Sequence, residues 1–479
     1  MKTRYREKWM IVLLIMFAVF FGACKTKEVP LKNTAKNLPS SFGDSKDSLT
    51  SAITNWKGYF VDPNLLELID TALTSNLDLF IALQKMEAAK AGIGAAKGLL
   101  LPNLSAGASA AQRKFGLYTM DGAGNISTYI TPGQIVPVHL PDYYFGLQTT
   151  WEVDIWGKLR NKKKAALSRY LSTSEGKNLV ITNLIAEVAT AYYQLLALDN
   201  ELDIIRETIQ LQGDAFELVS IQKEATAANE LAVKQLESQV LNSKALEYEI
   251  LLKINEFENK MNFLLNRYPQ TIKRNKSEFT KPLPFKLEVG IPVDLLKNRP
   301  DIRRAEYELV ATKADLKAAR VAFYPTLNIM GGPGFQAFKM AYLFMNPASV
   351  AYSVVGTLSA PLINRSSIKA AFKTANANQQ EALFNCQKSI LHGYIEVYNE
   401  IVTIKNLEKI HQLKSNEVAV LSEAIDASAV LFRTGRANYV EVLMTQKGAL
   451  QSKIELVNIK QRQFNALVNI YKALGGGWR

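Results

Sequence analysis

All 16 prolines of the chain fall outside residues 142–268 and 362–479, leaving two stretches of 127 and 118 residues free of the strongest helix breaker. Within the first, Ile181, Leu184, Val188, Ala191, Leu195, Leu198, Leu202, Ile205 and Ile209 step by three and four in alternation, the seam of a coiled coil. Ile250, Ile254, Phe257, Met261 and Leu264 repeat the pattern. In the second stretch Ile390, Tyr394, Val397, Ile401 and Ile404 do so, and Leu443, Leu450, Val457, Phe464 and Tyr471 recur every seven. Each stretch therefore reads as two antiparallel helices, with turns expected at residues 225–230 and 434–438, the latter carrying Gly435. A helix over residues 158–222 would be about 95 Å long at 1.5 Å per residue. No compact domain needs that length.

The two stretches belong to two copies of one unit. At an offset of 223, Asp78 falls on Asp301, Ala82 on Ala305, Ala88, Ala91, Ala95 and Ala96 on Ala311, Ala314, Ala318 and Ala319, Pro102 on Pro325 and Leu104 on Leu327. Later the offset is 209: Glu187-Val188 meets Glu396-Val397, Asn229 meets Asn438, and Leu241, Ser243 and Lys244 meet Leu450, Ser452 and Lys453. The difference of 14 residues lies between Pro102 and Trp151, where Gly122, Gly124, Pro132, Gly133 and Pro137 mark a long loop. Shorter helices are expected at 76–101 and 299–324, with small faces through Ala88, Ala91, Gly92 and Ala95 and through Ala311, Ala314, Ala318 and Ala322.

The pieces left over, 104–118, 143–151, 327–338 and 349–359, are rich in Gly, Ser, Thr and aromatics and alternate only loosely; barrel strands and solvent-exposed hairpins both fit them. Four strands cannot close a barrel, because the smallest spanning barrels have about eight. Strands that crossed a bilayer would need copies of the chain, and a trimer would supply twelve strands and twelve long helices.

The N-terminus reads as a processing signal. Lys2, Arg4, Arg6 and Lys8 precede an apolar run of 13 residues, Trp9 to Phe21, too short to span a bilayer as a helix. Gly22-Ala23-Cys24 follows, resembling the lipobox of bacterial lipoproteins, with Phe21 where that pattern prefers Leu; the alternative is an ordinary secretory signal with a chance cysteine. The only other cysteine, Cys386, leaves an acylated Cys24 no internal disulfide to make, and it reads as a small buried residue on a helix. No later apolar run reads as a transmembrane helix, so a membrane crossing would use a closed barrel.

The formal charge of +13 would suit nucleic acid or an anionic surface. Read along the chain, however, Lys and Arg are spread throughout without a nucleic-acid-binding motif, so they read as solvated helix surface and no nucleic-acid partner is expected. His139, His392 and His411 have no metal-ligand spacing, and no Met or His cluster suggests metal cargo. There is no Gly-x-Ser-x-Gly element, phosphate loop or dinucleotide fingerprint. The sequence therefore points to neither an enzyme nor a cofactor or metal site, apart from covalent lipid on Cys24.

Several segments resemble the TolC-type outer-membrane efflux proteins, specifically the OprM/NodT lipoprotein branch, across nearly the whole chain. They are Asp62-Pro63-Asn64-Leu65, the run from Trp151 through Trp156 to Lys158, the run from Leu295 through Arg299-Pro300-Asp301 to Ile302 with Ala305-Glu306, Tyr324-Pro325, and the ending from Tyr471 to Gly475-Gly476-Gly477-Trp478. The resemblance implies a mainly α protein with membrane β: a trimeric 12-stranded outer-membrane β-barrel, four strands per chain, continuous with a long periplasmic α-helical coiled-coil barrel. It implies a homotrimer in contact with outer-membrane lipid, docked to a periplasmic adaptor (membrane fusion) protein and an inner-membrane RND-type pump, passively conducting drugs or other small toxic compounds. A type I protein-secretion exit duct and a non-channel periplasmic coiled-coil scaffold are the alternatives.

The domains expected are a signal peptide at 1–23, a lipidated linker at 24–61, a first repeat at 62–275 with a β-hairpin at 104–151 and a helical hairpin at 158–266, and a second at 276–479 with a β-hairpin at 327–360 and a helical hairpin at 366–474. The family's tip segment corresponds to Phe432 through Gln446, which makes Gly435, Asn438, Tyr439 and Gln446 candidates for the gate and for adaptor contact. Ala437 stands where some relatives carry Asp, leaving Asp426, one or two turns away, as the acidic candidate. Gly435 and Asn438 also read simply as a helix C-cap and the next N-cap. Arg299, Pro300 and Asp301 read as a helix start, and Trp151 and Trp156 as interface or core indoles.

The leader makes a direct prediction. Intact mass of the protein extracted from membranes should correspond to a chain beginning at Cys24 and carrying acyl groups; an unmodified Cys24 would rule the lipobox reading out.

Overall fold

The computed structural model describes residues 39–42, 55–225, 229–283, 292–363 and 365–478; Cys24, the leader and most of the expected linker lie outside them. In chain order the elements are α1 (Trp56–Tyr59), α2 (Pro63–Ser75), α3 (Leu77–Gly98), β1 (Asn103–Arg113), α4 (Met120–Ser127), β2 (Tyr129–Thr131), β3 (Gln134–Ile135), β4 (Leu140–Val153), α5 (Lys158–Glu224), α6 (Glu230–Leu264), α7 (Ser277–Thr280), α8 (Asp294–Asn298), α9 (Pro300–Val321), β5 (Thr326–Ala337), β6 (Val350–Ser359), α10 (Ser366–Arg433) and α11 (Tyr439–Ala473).

The duplication is visible in these bounds. Both ends of α3 map onto both ends of α9 at an offset of 223, and both ends of α6 onto both ends of α11 at 209. The first copy spends its extra length between β1 and β4 on α4 and the small β2–β3 hairpin, where the sequence predicted only a loop. Two compact units result. Among the described residues one contains 87–171 and 307–384, the other the remainder.

The first unit holds a four-stranded antiparallel sheet of order β1-β4-β5-β6. Helical ends accompany it, with Leu316, Phe323 and Phe372 forming a small apolar cluster and Arg169 paired to Asp315.

The second unit is helical. The seam read from the sequence is its core: Val188, Ala191 and Leu195 are fully buried, and Leu184, Leu198, Leu202 and Ile205 nearly so. They pack with Met261 and Leu264 of α6 and Val457, Phe464 and Tyr471 of α11 in one cluster, and with Ile250 and Leu450 in the next. One window of α5 is apolar enough, by length and composition, to cross a membrane, where the sequence reading found none; most of that window is buried inside this core.

Trp56, Tyr59 and Phe60, inside the stretch expected to be linker, also belong to the core. Tyr59 donates to the Leu467 carbonyl at 2.9 Å and stacks on Tyr471 with centroids 4.1 Å apart. Burial pushes the Tyr59 hydroxyl far above its usual range and that of Tyr471 up to about 12, so both remain neutral donors at any physiological pH. Cys386 is a free thiol, buried as expected.

The segment after α6 is held by Arg274, whose Nε and Nη2 donate to the two carboxylate oxygens of Asp199 at 2.6 and 2.9 Å, while Nη1 reaches Glu258. Burial opposes the charge on Arg274, but the two carboxylates outweigh it and raise its pKa. Nearby, Lys276 pairs with Asp203 in the open.

The two pairs should differ sharply. Arg274→Met strands buried Asp199 and partly buried Glu258 and should cost on the order of 3–5 kcal/mol, whereas Lys276→Met should leave stability nearly unchanged. Thermal unfolding in detergent measures both, and equal midpoints for the two variants would refute the assignment.

Candidate functional site

Residues directly opposite each other in an antiparallel sheet share a face, so the register sorts the strands. Thr149, Leu147, Phe145 and Tyr143 of β4 stand opposite Leu104, Ala106, Ala108 and Ala110 of β1. Trp151 and Val153 stand opposite Ile329 and Leu327 of β5, and Leu327, Pro333 and Phe335 opposite Leu358, Tyr352 and Val350 of β6. That face is almost wholly apolar. The other carries Asn103, Ser105 and Ser109, then Asp142, Gln148, Thr150 and Glu152, then Asn328 and Gln336, then Ser353, Thr357 and Ser359.

Glycines let the central strands meet tightly. A Cβ on Gly332 would lie 2.0 Å from the Leu147 carbonyl oxygen, and one on Gly146 would lie 2.6 Å from the Gly334 Cα. Along single strands these glycines and alanines blur the alternation, which is why the sequence showed it only loosely.

At the sheet's helical end, Asp154 caps α5, accepting the backbone N–H groups of Leu159 and Arg160 at 2.9 Å each. Trp151, on the apolar face, donates its indole N–H to the Leu100 carbonyl at 3.1 Å. Trp156, half exposed, donates to the Pro325 carbonyl at 2.8 Å and lies 5.4 Å from the Tyr324 ring. Both indoles thus tie one strand–helix junction to another.

Arg299, Pro300 and Asp301 do form a helix start, with Pro300 the first residue of α9. Arg299 does more. Its buried guanidinium donates to both Asp301 carboxylate oxygens at 3.0 and 2.7 Å, to Glu396 at 2.8 Å and to the Ala473 carbonyl at 2.6 Å. Burial works against its charge and is outweighed by Asp301 and Glu396, so its pKa is raised. The C-terminal glycines fit the same knot. Gly475 has φ +89° with the Asn298 carbonyl oxygen 2.5 Å from where a Cβ would sit, and Trp478 donates to that same carbonyl at 3.0 Å. No local residue pattern signals this clamp beyond the repeat-matched Glu396.

At the far end of the second helical hairpin, α10 stops at Arg433. Gly435 takes φ +72°, and the N–H of Arg436 returns to the Leu431 carbonyl at 2.8 Å, a left-handed C-cap. Asn438 and Glu441 form a capping box for α11, at 3.0 and 3.1 Å. Tyr439 is half-buried against Val219, Ala232, Val233 and Leu236 with Phe216 and Phe432. Gly435, Asn438 and Tyr439 therefore share one turn, Gln446 is buried two turns along α11, and Asp426 stands exposed on α10. Among the described residues no group of three or more His, Cys, Asp or Glu is placed to hold a metal ion.

The sequence profile of the family described as "Outer membrane efflux protein" matches residues 68–267 and 291–476. The chain is 26% identical to "Probable outer membrane lipoprotein SilC" of Salmonella typhimurium, over 92% of this chain and 93% of that one. It is 28% identical to "Toluene efflux pump outer membrane protein TtgI" of Pseudomonas putida, over 91% and 90%. The crystal structure of the Campylobacter jejuni CmeC outer membrane channel superimposes with a TM-score of 0.82 at 21% identity, covering 94% of each chain, and so has the same fold.

The capping box predicts how the turn responds to mutation. Asn438→Ala removes the side-chain acceptor for the Glu441 N–H and leaves the backbone half of the box, a loss of about 1 kcal/mol of local stability, and should speed tryptic cleavage at the exposed Arg433 and Arg436 severalfold. An unchanged cleavage rate would show that the box does not hold the turn.

Proposed function

This chain belongs to the outer membrane efflux protein family, and on that premise we propose that it is the exit duct of a tripartite efflux machine. It works as a homotrimer anchored by acyl chains on Cys24, with its helices in the periplasm against an adaptor protein and an inner-membrane RND-type pump. The duct conducts small toxic compounds passively and selects little; the pump supplies the energy.

The observation that carries this reading is the two-faced sheet with two open edges. Among the described residues β1 and β6 each have a partner on one side only. An apolar face suits lipid, a polar face suits a water-filled lumen, and only further copies can satisfy the free edges. The helices show the same incompleteness: Leu391, Ile395, Tyr398 and Val402 of α10, and Leu241, Tyr248 and Leu252 of α6, form exposed apolar stripes at helical spacing. Identical chains that complete the sheet would also cover such stripes. The names of SilC and TtgI, an outer membrane lipoprotein and a pump's outer membrane component, support the anchor and the assignment to efflux.

Purified protein should migrate as a trimer after crosslinking and conduct ions across planar bilayers. A monomer without conductance would sink the duct and favour a periplasmic scaffold. Tyr439→Ala and Asp426→Asn should each raise single-channel conductance several-fold if these residues help to close the tip, and unchanged conductance in both would remove them from the gate.

A further inference from the structure

Read along the sequence, the basic residues look evenly spread; folded, their excess is collected in one place. The helical segments of the sheet-bearing unit, residues 87–98, 158–171, 307–321 and 365–384, carry fourteen Lys and Arg against four Asp and Glu, an excess of ten. The whole chain carries +13, of which the leader, residues 1–23, contributes three. These segments therefore account for a charge equal to that of the entire chain from Cys24 onward.

The register puts this charge at one level. Asn103 pairs with Thr150, Val153 with Leu327 and Thr326 with Ser359, so α3 ends, α5 begins, α9 ends and α10 begins along the same edge of the sheet. Lys97, Lys162, Lys164, Lys313, Lys317, Lys369 and Lys373 are exposed within about two helical turns of that edge. Among the described residues none of the seven, nor half-exposed Lys163, has an ion-pair partner. In the other unit Lys57, Lys223, Lys276 and Lys414 have carboxylate partners, while exposed Lys244, Lys405 and Lys409 have none among the described residues; what sets the seven apart is their concentration at one level. Identical copies cannot neutralise the excess, because each brings the same one. Exposed apolar side chains sit at the same edge, namely Leu101, Ile155, half-exposed Trp156, Leu362 and Ile363.

We propose that this collar of lysines binds the headgroups of anionic phospholipids in the leaflet that faces the helices. Cations within about 12 Å of an apolar rim, on side chains long enough to reach toward it, match phosphates at the membrane surface, as juxtamembrane basic clusters do. The inference rests on the sheet being the membrane-spanning part. It adds a lipid preference that trimerisation and conduction do not require.

The test uses the full-length protein in detergent and seven substitutions to Gln together, at Lys97, Lys162, Lys164, Lys313, Lys317, Lys369 and Lys373. A second variant carries Lys244→Gln, Lys405→Gln and Lys409→Gln, exposed positions in the other unit. Phosphatidylglycerol and phosphatidylethanolamine are titrated into each, with bound lipid counted by native mass spectrometry and conductance recorded on the same preparations. Wild type and the second variant should bind phosphatidylglycerol at least tenfold more tightly than phosphatidylethanolamine, a preference that falls with salt. The sevenfold variant should lose that preference while it still conducts. Equal binding of the two lipids by a conducting wild type overturns the proposal and leaves the duct intact. So does full phosphatidylglycerol binding by the sevenfold variant, a change in ion selectivity alone, which would put the lysines in the lumen, or binding of soluble peptidoglycan fragments instead of lipid. Wild-type protein that fails to conduct would indict the duct itself.

Discussion

A sheet edge in hydrocarbon is the constraint on which everything else depends. Each backbone N–H or C=O left without a partner there costs several kcal/mol. β1 spans eleven residues and β6 ten, and in an antiparallel pair about half of a strand's groups point toward each side. A lone chain in lipid would thus leave on the order of ten groups unpaired along each edge, a penalty larger than the whole stability of an ordinary domain. Further copies remove it by pairing β6 of one chain with β1 of the next. The helices then have to follow, because each is continued from a strand by a few residues, and a closed ring of strands forces a closed ring of helices.

The long helices answer a second requirement, which is to stay ordered over their whole length. A helix of 67 residues cannot rely on propensity. Its stability comes from the seam of Leu184 through Ile205, buried against α6 and α11. At the level where α1 and α2 pack in, aromatic side chains and the Arg274 and Arg299 clamps replace simple seam packing, fastening the segments that leave and rejoin the coiled coil. These are the places where the duplicated chain must connect one hairpin to the next.

How much of this could be read from residues alone follows from how local each signal is. Helices, turns and the duplication were legible because proline exclusion and three–four spacing are properties of contiguous sequence, and Gly435 and Asn438 cap the helices as their residue types demand. Strand positions came within a few residues, but the two-faced character did not show. It emerges only when Ala106 is set against Leu147 and Gly334 against Gly146. The burial of Trp56 and Phe60, the reach of Arg299 to Glu396 and the collar of lysines share one cause: residues far apart in sequence that only the fold brings together. Tyr439 and Gln446 are candidates by resemblance, and Asp426 only as the acidic residue near them. Of these the fold brings only Tyr439 into the apolar cluster at the turn.

The start of α5 and the turn between α10 and α11 are secured by different means, and the difference bears on which of the two moves more easily. Where α5 meets the sheet, Asp154 satisfies two backbone donors, Trp151 and Trp156 bond across to other strand–helix junctions, and Gly157 at φ +78° fits the turn. Displacing that end would break several of these bonds at once. The turn between α10 and α11 has one capping box, a glycine cap and a small apolar cluster, with Thr434, Gly435 and Arg436 in solvent. Segments with few buried contacts open at lower free energy than packed ones. The junction at the start of α5 is therefore the costlier of the two to displace and the turn between α10 and α11 the cheaper.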